Sequence, residues 1–348
     1  MRLLRYILKI MRFIGGKTNL LNEIENTVKE RAGSTSTIID IFAGSGVVSA
    51  HFKSKGYSVI GNDIMFFSYA LCRGSIAFNT EPSFGNLESK NPIALLNNLP
   101  AEAADMENCF IYQNYSPHDK VARMYFQNDN ALKIDIIRQQ IEKWHNEGDV
   151  NENEYFYLLS SLIAAVPYVS NITGIYGAYL KHWDKRTYNP LTLKKPDIIG
   201  AGHAIFYNED CDELLTKIKG DLLYADPPYN SRQYLPNYHV LETIARYDSP
   251  AIRGVTGMRD YSDQKSDFCI KSKVEEAFER LITRADVQYV LISYNNEGLL
   301  STERLSEICC SYAKKETFNL KEIDFRRYNN IGTKPGGVKE QLYFFEKR

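Results

Sequence analysis

LLYADPPYNSRQY, from Leu222 to Tyr234, is the stretch that decides the fold. Leu222, Leu223, Tyr224 and Ala225 read as a short apolar strand, and Asp226 stands where it ends. Pro227 and Pro228 have no backbone N–H, so the ladder cannot continue through them, and the chain leaves the strand in a stiff, extended form. An acid and an aromatic, Asp226 and Tyr229, are thereby held on either side of two prolines at the carboxyl edge of a sheet. That edge is where open α/β sheets place their ligands. A carboxylate, a proline-fixed carbonyl and a ring suit a planar amine, which needs acceptors for its hydrogens and a surface for its face. A plain proline turn would carry the same residues, so the reading depends on the rest of the chain.

Working outward, Thr37 to Phe42 reads as a strand, Ala43-Gly44-Ser45-Gly46 as a tight turn and Val47 to Lys55 as a helix. Ser58 to Gly61 is a second strand, ending at Asn62-Asp63. This is the opening β-α-β of a Rossmann-like half, in which glycines bring the backbone close to a cofactor and an acid after the second strand takes two sugar hydroxyls. The dinucleotide fingerprint fits poorly, because the turn has only two glycines and follows Asp40. An acid there repels a pyrophosphate but holds a cationic amine, which favours S-adenosylmethionine over a nicotinamide cofactor. Ahead of this unit, Phe13-Ile14-Gly15-Gly16-Lys17 leads into a helix over Thr18 to Arg31, and its glycine pair permits close approach to a ligand.

Phe66 to Asn79 reads as a third helix. From Thr80 to Gly200 the periodicity weakens, with helical pieces over Asn130 to Trp144 and Glu154 to Val166 and an acidic stretch from Glu142 to Glu154. We read 80–200 as a mostly helical domain inserted between two catalytic portions, 1–79 and 201–348. Within it, Lys181, Lys185, Arg186, Lys194 and Lys195 alternate with Tyr176, Tyr179, Trp183 and Tyr188, a mixture suited to phosphates and bases. A solvated charged face would show the same lysines. The sheet resumes at His203 to Tyr207, ending near Asp210, where a third acid can accept from a cofactor amine. Asp248 to Phe268 offers few packing anchors and reads as a mobile loop. Lys271 to Ala285 and Thr302 to Lys315 read as helices around a strand at Val287 to Ser293. Two late strands, Phe318 to Phe325 and Val338 to Phe345, flank Arg326 to Asn330 with no helix between them, so an antiparallel hairpin closes a mixed sheet.

Composition sets the class. The chain has 348 residues, 44% hydrophobic and 24% charged, ordinary for a globular protein with a large core. No apolar run approaches membrane-span length, and the basic start, with Met11 as a second candidate initiator, lacks the form of a secretory signal. Its six cysteines form no CxxC pair and read as reduced thiols in a cytoplasmic protein. No cluster of metal-ligand spacing appears. The net charge of −1 leaves nucleic-acid binding to local charge distribution.

Together, Phe13-Ile14-Gly15-Gly16-Lys17, Asp40-Ile41-Phe42-Ala43-Gly44-Ser45-Gly46, Asp63, Asp210 and Asp226-Pro227-Pro228-Tyr229 stand in the order found in Dam-type (alpha-group) DNA adenine-N6 methyltransferases, which the chain resembles over residues 12–79 and 201–345. The flank NSRQYLPNYHVLETIA resembles the modification enzymes of type II restriction–modification systems. The Gly15-Gly16 pair departs mildly from relatives with Gly-Ser or Gly-Ala. The resemblance implies a Rossmann-like S-adenosylmethionine-dependent fold with an inserted target-recognition domain. It implies methylation of an adenine flipped out of double-stranded DNA in a bacterial or archaeal cell, by a monomer or weak dimer with a possible cognate restriction endonuclease and no metal.

The roles implied are as follows. Asp226 and Pro227, with Pro228 and Tyr229, hold and stack the target amine. Phe13, Gly15, Gly16, Lys17, Asp40, Phe42, Gly44, Gly46, Asp63, Asp210 and Asp226 surround the cofactor, with Asp40 at the methionine end, Asp63 at the ribose and Asp210 at the adenine. Tyr234 and Asn295 line the base pocket, and Lys181, Lys185 and Arg186 face DNA. Three other activities share parts of this pattern. A glutamine-N5 or RNA methyltransferase shares the fold, although the former resembles Asn-Pro-Pro-Tyr at the position of Asp226. An N4-cytosine methyltransferase uses similar amine chemistry, and a non-catalytic specificity subunit would not need four acids at strand ends.

Overall fold

Strands buried on both faces read as continuous apolar runs, and such runs form the centre of this sheet. The computed structural model describes residues 16–119, 121–324 and 339–348. Its strands are β1 (Thr37–Asp40), β2 (Ser58–Asn62), β3 (His203–Tyr207), β4 (Leu222–Ala225), β5 (Ile252–Arg253), β6 (Met258–Arg259), β7 (Tyr289–Asn295), β8 (Asn319–Asp324) and β9 (Lys339–Glu346). Seven of them form one sheet in the order β3-β2-β1-β4-β7-β9-β8, while β5 and β6 make a separate antiparallel ribbon. β3, β2, β1, β4 and β7 run parallel, and β9 lies antiparallel to both β7 and β8. The mixed sheet and its closing antiparallel pair therefore match the sequence reading, and the turn from Arg326 to Asn330 lies outside the described residues.

The two-residue alternation of the strands divides the core. Ile38, Leu222 and Leu291 pack with the helix Leu21–Arg31 on one face, while Ile39, Leu223, Val290 and Ile292 pack with Val274–Arg284 and Thr302–Tyr312 on the other. All four residues of β4 are buried, as its apolar run requires. β1 lies between β2 and β4, so the connections leaving its carboxyl end and that of β4 diverge and open a crevice. Register sets the depth: Asp40 pairs with Tyr224 and with Gly61, which places Asp226 and Asp63 each two residues beyond the level of Asp40.

Residues from the 80–200 segment build a third cluster together with Met65 to Leu71 and Leu235 to Ala245. Helix Glu152–Ala165 crosses Phe66–Ser75 closely at Gly74, where an added Cβ would meet the Phe156 carbonyl oxygen at 2.0 Å. Arg138, 2% exposed on helix Asn128–Asn146, donates to the carbonyls of Ile244 and Ala245, each at 3.2 Å, and to Tyr155 at 2.8 Å. It thereby satisfies carbonyls that the last turn of helix His239–Arg246 leaves open. Among the described residues no helix is long and apolar enough to cross a membrane.

Candidate active site

A cavity of about 290 Å³ opens at the carboxyl edge of β1, β2 and β4. Its walls bring together most of the residues singled out from the sequence: Gly16, Lys17, Asp40, Phe42, Gly44, Asp63, Asp210, Asp226, Pro228 and Tyr234. Phe13 and Gly15 lie outside the described residues. Gly46 stands just behind the wall with φ +75°, and a Cβ there would meet Ile76 Cδ1 at 2.4 Å. A side-chain-free, left-handed residue is thus required for the chain to turn into helix Val47–Ser54.

Asp40 is 1% exposed. Its Oδ2 accepts from the Ser49 hydroxyl at 2.6 Å, whereas its Oδ1, also buried, has no partner. Burial pushes the carboxyl up to about 7, against the Ser49 hydrogen bond, and the neighbouring Asp226 and Asp63 charges add to the rise. A half-satisfied buried carboxylate in a cavity wall is costly unless a cation or donor completes it. Asp63 accepts from Gly44 N at 2.8 Å and Met65 N at 2.9 Å, so it also fixes the glycine turn; burial raises its carboxyl to about 6. Asp210 caps the short helix Cys211–Leu214, its Oδ1 accepting from the backbone of Asp212 and Glu213 at 2.8 and 3.3 Å.

Asp226 sits at the other side of the cavity. Its Oδ1 accepts from Lys17 Nζ at 2.9 Å and from the Tyr229 hydroxyl at 2.5 Å. Burial raises this carboxyl, and the Lys17 ammonium and the Tyr229 hydroxyl oppose that rise. Tyr229 is 7% exposed, packs edge-on against Tyr294 with centroids 5.3 Å apart, and is not part of the cavity wall; Tyr234 is. Asn295 is buried and accepts from Glu297 N at 3.1 Å, also behind the wall. Pro227 is buried, next to the half-buried Asp226 and Pro228.

The basic run lies elsewhere, in irregular chain with one 3-10 turn at Lys185–Tyr188. Lys181 and Lys185 are exposed, and Tyr188 is 68% exposed. Arg186 instead donates to the Ile172 carbonyl at 2.7 Å and pairs with Asp184 at 3.1 Å.

Several residues of the site were not singled out from the sequence. Ser49 serves Asp40 from the helix after the glycine turn. Gln264, Phe268 and Arg280 line the cavity, Phe268 packing edge-on against Phe42 at 5.3 Å. Arg280 bridges Asp212 at 2.7 Å and Asp267 at 2.9 Å. Glu340, on β9, stands 3.7 Å from Lys17 Nζ. These positions depend on long-range packing, and nothing local to them marks a site.

The chain is similar to type II methyltransferase M.FokI of Planomicrobium okeanokoites, with 43% identity over 97% of this chain and 53% of that protein. It is 41% identical to modification methylase StsI of Streptococcus sanguinis over 97% of this chain and 52% of that one. To type II methyltransferase M.NlaIII of Neisseria lactamica it is 38% identical over 97% of this chain and 99% of that protein. It thus spans about half the length of the first two relatives and nearly all of the third. The family model described as D12 class N6 adenine-specific DNA methyltransferase matches residues 13–308, from the glycine pair through the aspartate-proline-proline turn and beyond, and the chain belongs to that family.

Proposed function

We propose that this chain methylates the N6 amine of an adenine turned out of duplex DNA, using S-adenosylmethionine, as the modification partner of a restriction endonuclease. The observation that carries the reading is one cavity with an unpartnered buried carboxylate oxygen on Asp40 at one side and the Asp226-Pro227-Pro228 turn at the other. The donor set fits the cofactor: Asp40 Oδ1 suits an ammonium, the Gly44 to Gly46 backbone ahead of a helix suits a close approach, and Asp63 and Asp210 retain acceptor capacity for hydroxyls and an amine. When bound, S-adenosylmethionine supplies a methyl group already activated by a sulfonium.

The remaining work falls to the protein. An exocyclic adenine nitrogen is a weak nucleophile because its lone pair is delocalised into the ring. Asp226 and the Pro227 carbonyl accept its two hydrogens, which favours a pyramidal amine with its lone pair aimed across the cavity. Orientation and fixed charge supply the rate enhancement, without a covalent intermediate. The base must leave the stack to enter, and Tyr234, in the cavity wall near Asp226, supplies a ring on which it rests, while Tyr229 holds Asp226 from behind the wall. Lys181 and Lys185 meet phosphates.

The test is methylation of unmodified DNA by purified protein, followed by nucleoside analysis. N6-methyladenine from the wild type is expected. Asp226→Ala should bind S-adenosylmethionine but transfer no methyl group. N4-methylcytosine in the digest would overturn the base assignment, and full turnover by Asp226→Ala would overturn the role of that carboxylate.

A further inference from the structure

Four polar side chains meet behind the catalytic turn, and one of them comes from the far end of the chain. Lys17 is 3% exposed and lies within 2.9 Å of Asp226 Oδ1 and 3.7 Å of Glu340 Oε2, with its ammonium 4.8 Å from the centre of the Tyr229 ring. It also bonds the Tyr229 hydroxyl. That hydroxyl lies 2.5 Å from Asp226 Oδ1 and 3.5 Å from Glu340 Oε2. Glu340 is 4% exposed and, at the start of β9, pairs across the sheet with Asn295. One buried ammonium is therefore shared by two carboxylates, the half-buried Asp226 and the buried Glu340.

An ammonium held by Asp226 alone would neutralise the charge that grips the amine. A second carboxylate on the same ammonium divides that attraction. We propose that Glu340 is a positioning residue for Asp226: by drawing Lys17 partly toward itself, it leaves the Asp226 carboxylate a stronger acceptor for the hydrogens of the target amine. The inference rests on the reading of Asp226 given above. It assigns to β9 a part in the chemistry that a structural edge contact does not have. Charged and titratable groups facing Glu340 are Lys17 from the first turn, Asp226 and Tyr229 from the catalytic turn, Tyr224 from β4 and Tyr234 beyond the turn. Burial raises the Glu340 carboxyl; the Lys17 ammonium opposes this and the Asp226 charge adds to it. Removing the Glu340 charge leaves the Lys17 ammonium to Asp226 alone, which makes Asp226 easier to ionise and a weaker acceptor.

The experiment compares wild type, Glu340→Gln and Glu340→Asp. The Asp226 carboxyl is titrated by carbon-13 NMR in cofactor-free protein, its signal assigned by loss in Asp226→Asn. Glu340→Gln should lower the Asp226 midpoint by about 1 pH unit, the scale of a charge at this range. Its single-turnover rate at saturating DNA and S-adenosylmethionine should fall roughly tenfold, less than removal of a group that touches the reacting atoms. Cofactor affinity should stay at the wild-type value. Glu340→Asp keeps the charge and should restore most of the midpoint and the rate. In a Lys17→Met background, Glu340→Gln should lower the rate by less than about twofold, because the shared ammonium is gone.

An unchanged Asp226 midpoint and rate in Glu340→Gln would overturn the proposal. Equal loss of rate in Glu340→Gln and Glu340→Asp, with a lowered melting temperature in both, would also overturn it in favour of a packing role. Failure of the Asp226 reading is distinguishable, since it appears as turnover by Asp226→Ala whatever Glu340 does.

Discussion

At the scale of single residues, Asp40 makes two opposed demands. Its carboxyl is raised from 3.8 to about 7 by burial, so the folded protein holds a proton there that the unfolded chain has released. That cost to stability is absent below about pH 4, grows as pH rises, and is fully present above about pH 7. Asp40→Asn retains an acceptor for Ser49 and removes the charge. The cofactor-free variant should therefore melt higher than wild type at about pH 8, with the gap closing as pH falls toward about 4, while its affinity for S-adenosylmethionine falls roughly 10- to 100-fold, as for a lost charged hydrogen bond. Wild-type affinity should itself fall as pH drops through about 7, because an ammonium needs the ionised acid. Calorimetry in buffers of different ionisation heat, run at about pH 6.5, would read the proton released on binding. Equal melting of variant and wild type at about pH 8 would show that Asp40 is not the destabilising group. The sequence made Asp40 legible through its place before a glycine turn. Nothing local marked Ser49 or Glu340, whose relevance arises only when helix and sheet close on the same pocket.

At the scale of elements, apolar periodicity located the strands and helices well, and polar fastening was invisible to it. The segment from Asp248 to Phe268 reads as mobile because it has few apolar anchors. In the structure it is held by polar ones: Arg259 meets Asp248 at 3.0 and 2.6 Å, Arg123 donates to the carbonyls of Val255 and Gly254 at 3.0 and 3.1 Å, and Gln264 reaches Ile64 and Glu242 at 3.0 and 2.8 Å. Glu242, fully buried, also accepts from the backbone of Phe66 and Phe67 at 3.1 and 2.9 Å, fixing the start of the helix that follows Asp63. Sequence-distant donors and carbonyls carry no periodic signature, so such ties emerge only from the fold. Arg138 is the clearest instance. Replacing it with Met preserves bulk but leaves the Ile244 and Ala245 carbonyls, and the Tyr155 hydroxyl, without their donor. Denaturant unfolding should show a loss of about 2–4 kcal/mol. A change below about 0.5 kcal/mol would mean that water takes its place at those carbonyls.

At the scale of the whole molecule, a formal charge of −1 gives DNA no general attraction to this protein, so any affinity must come from local basic surface. The run from Tyr176 to Lys195 is the proposed source, and the structure separates its members. Lys181 and Lys185 are exposed beside Tyr188, whereas Arg186 is tied to the Ile172 carbonyl and Asp184. Substituting the two lysines removes two cations that can meet phosphates without disturbing the turn. Substituting Arg186 loosens the turn itself. Lys181→Ala with Lys185→Ala should weaken DNA binding across all sequences and reduce the dependence of log affinity on log salt by about 1.8, or about 0.9 for each phosphate no longer neutralised. Cofactor affinity and melting temperature should not change, because neither side chain reaches the cavity. Arg186→Ala should lower the melting temperature and weaken DNA binding only as the turn loses its shape. Fluorescence anisotropy over a salt series, run beside thermal melts, distinguishes the two outcomes. Identical salt slopes for wild type and the double variant would place the phosphate-binding face on another part of the molecule, and the lysine run would then be a solvated edge.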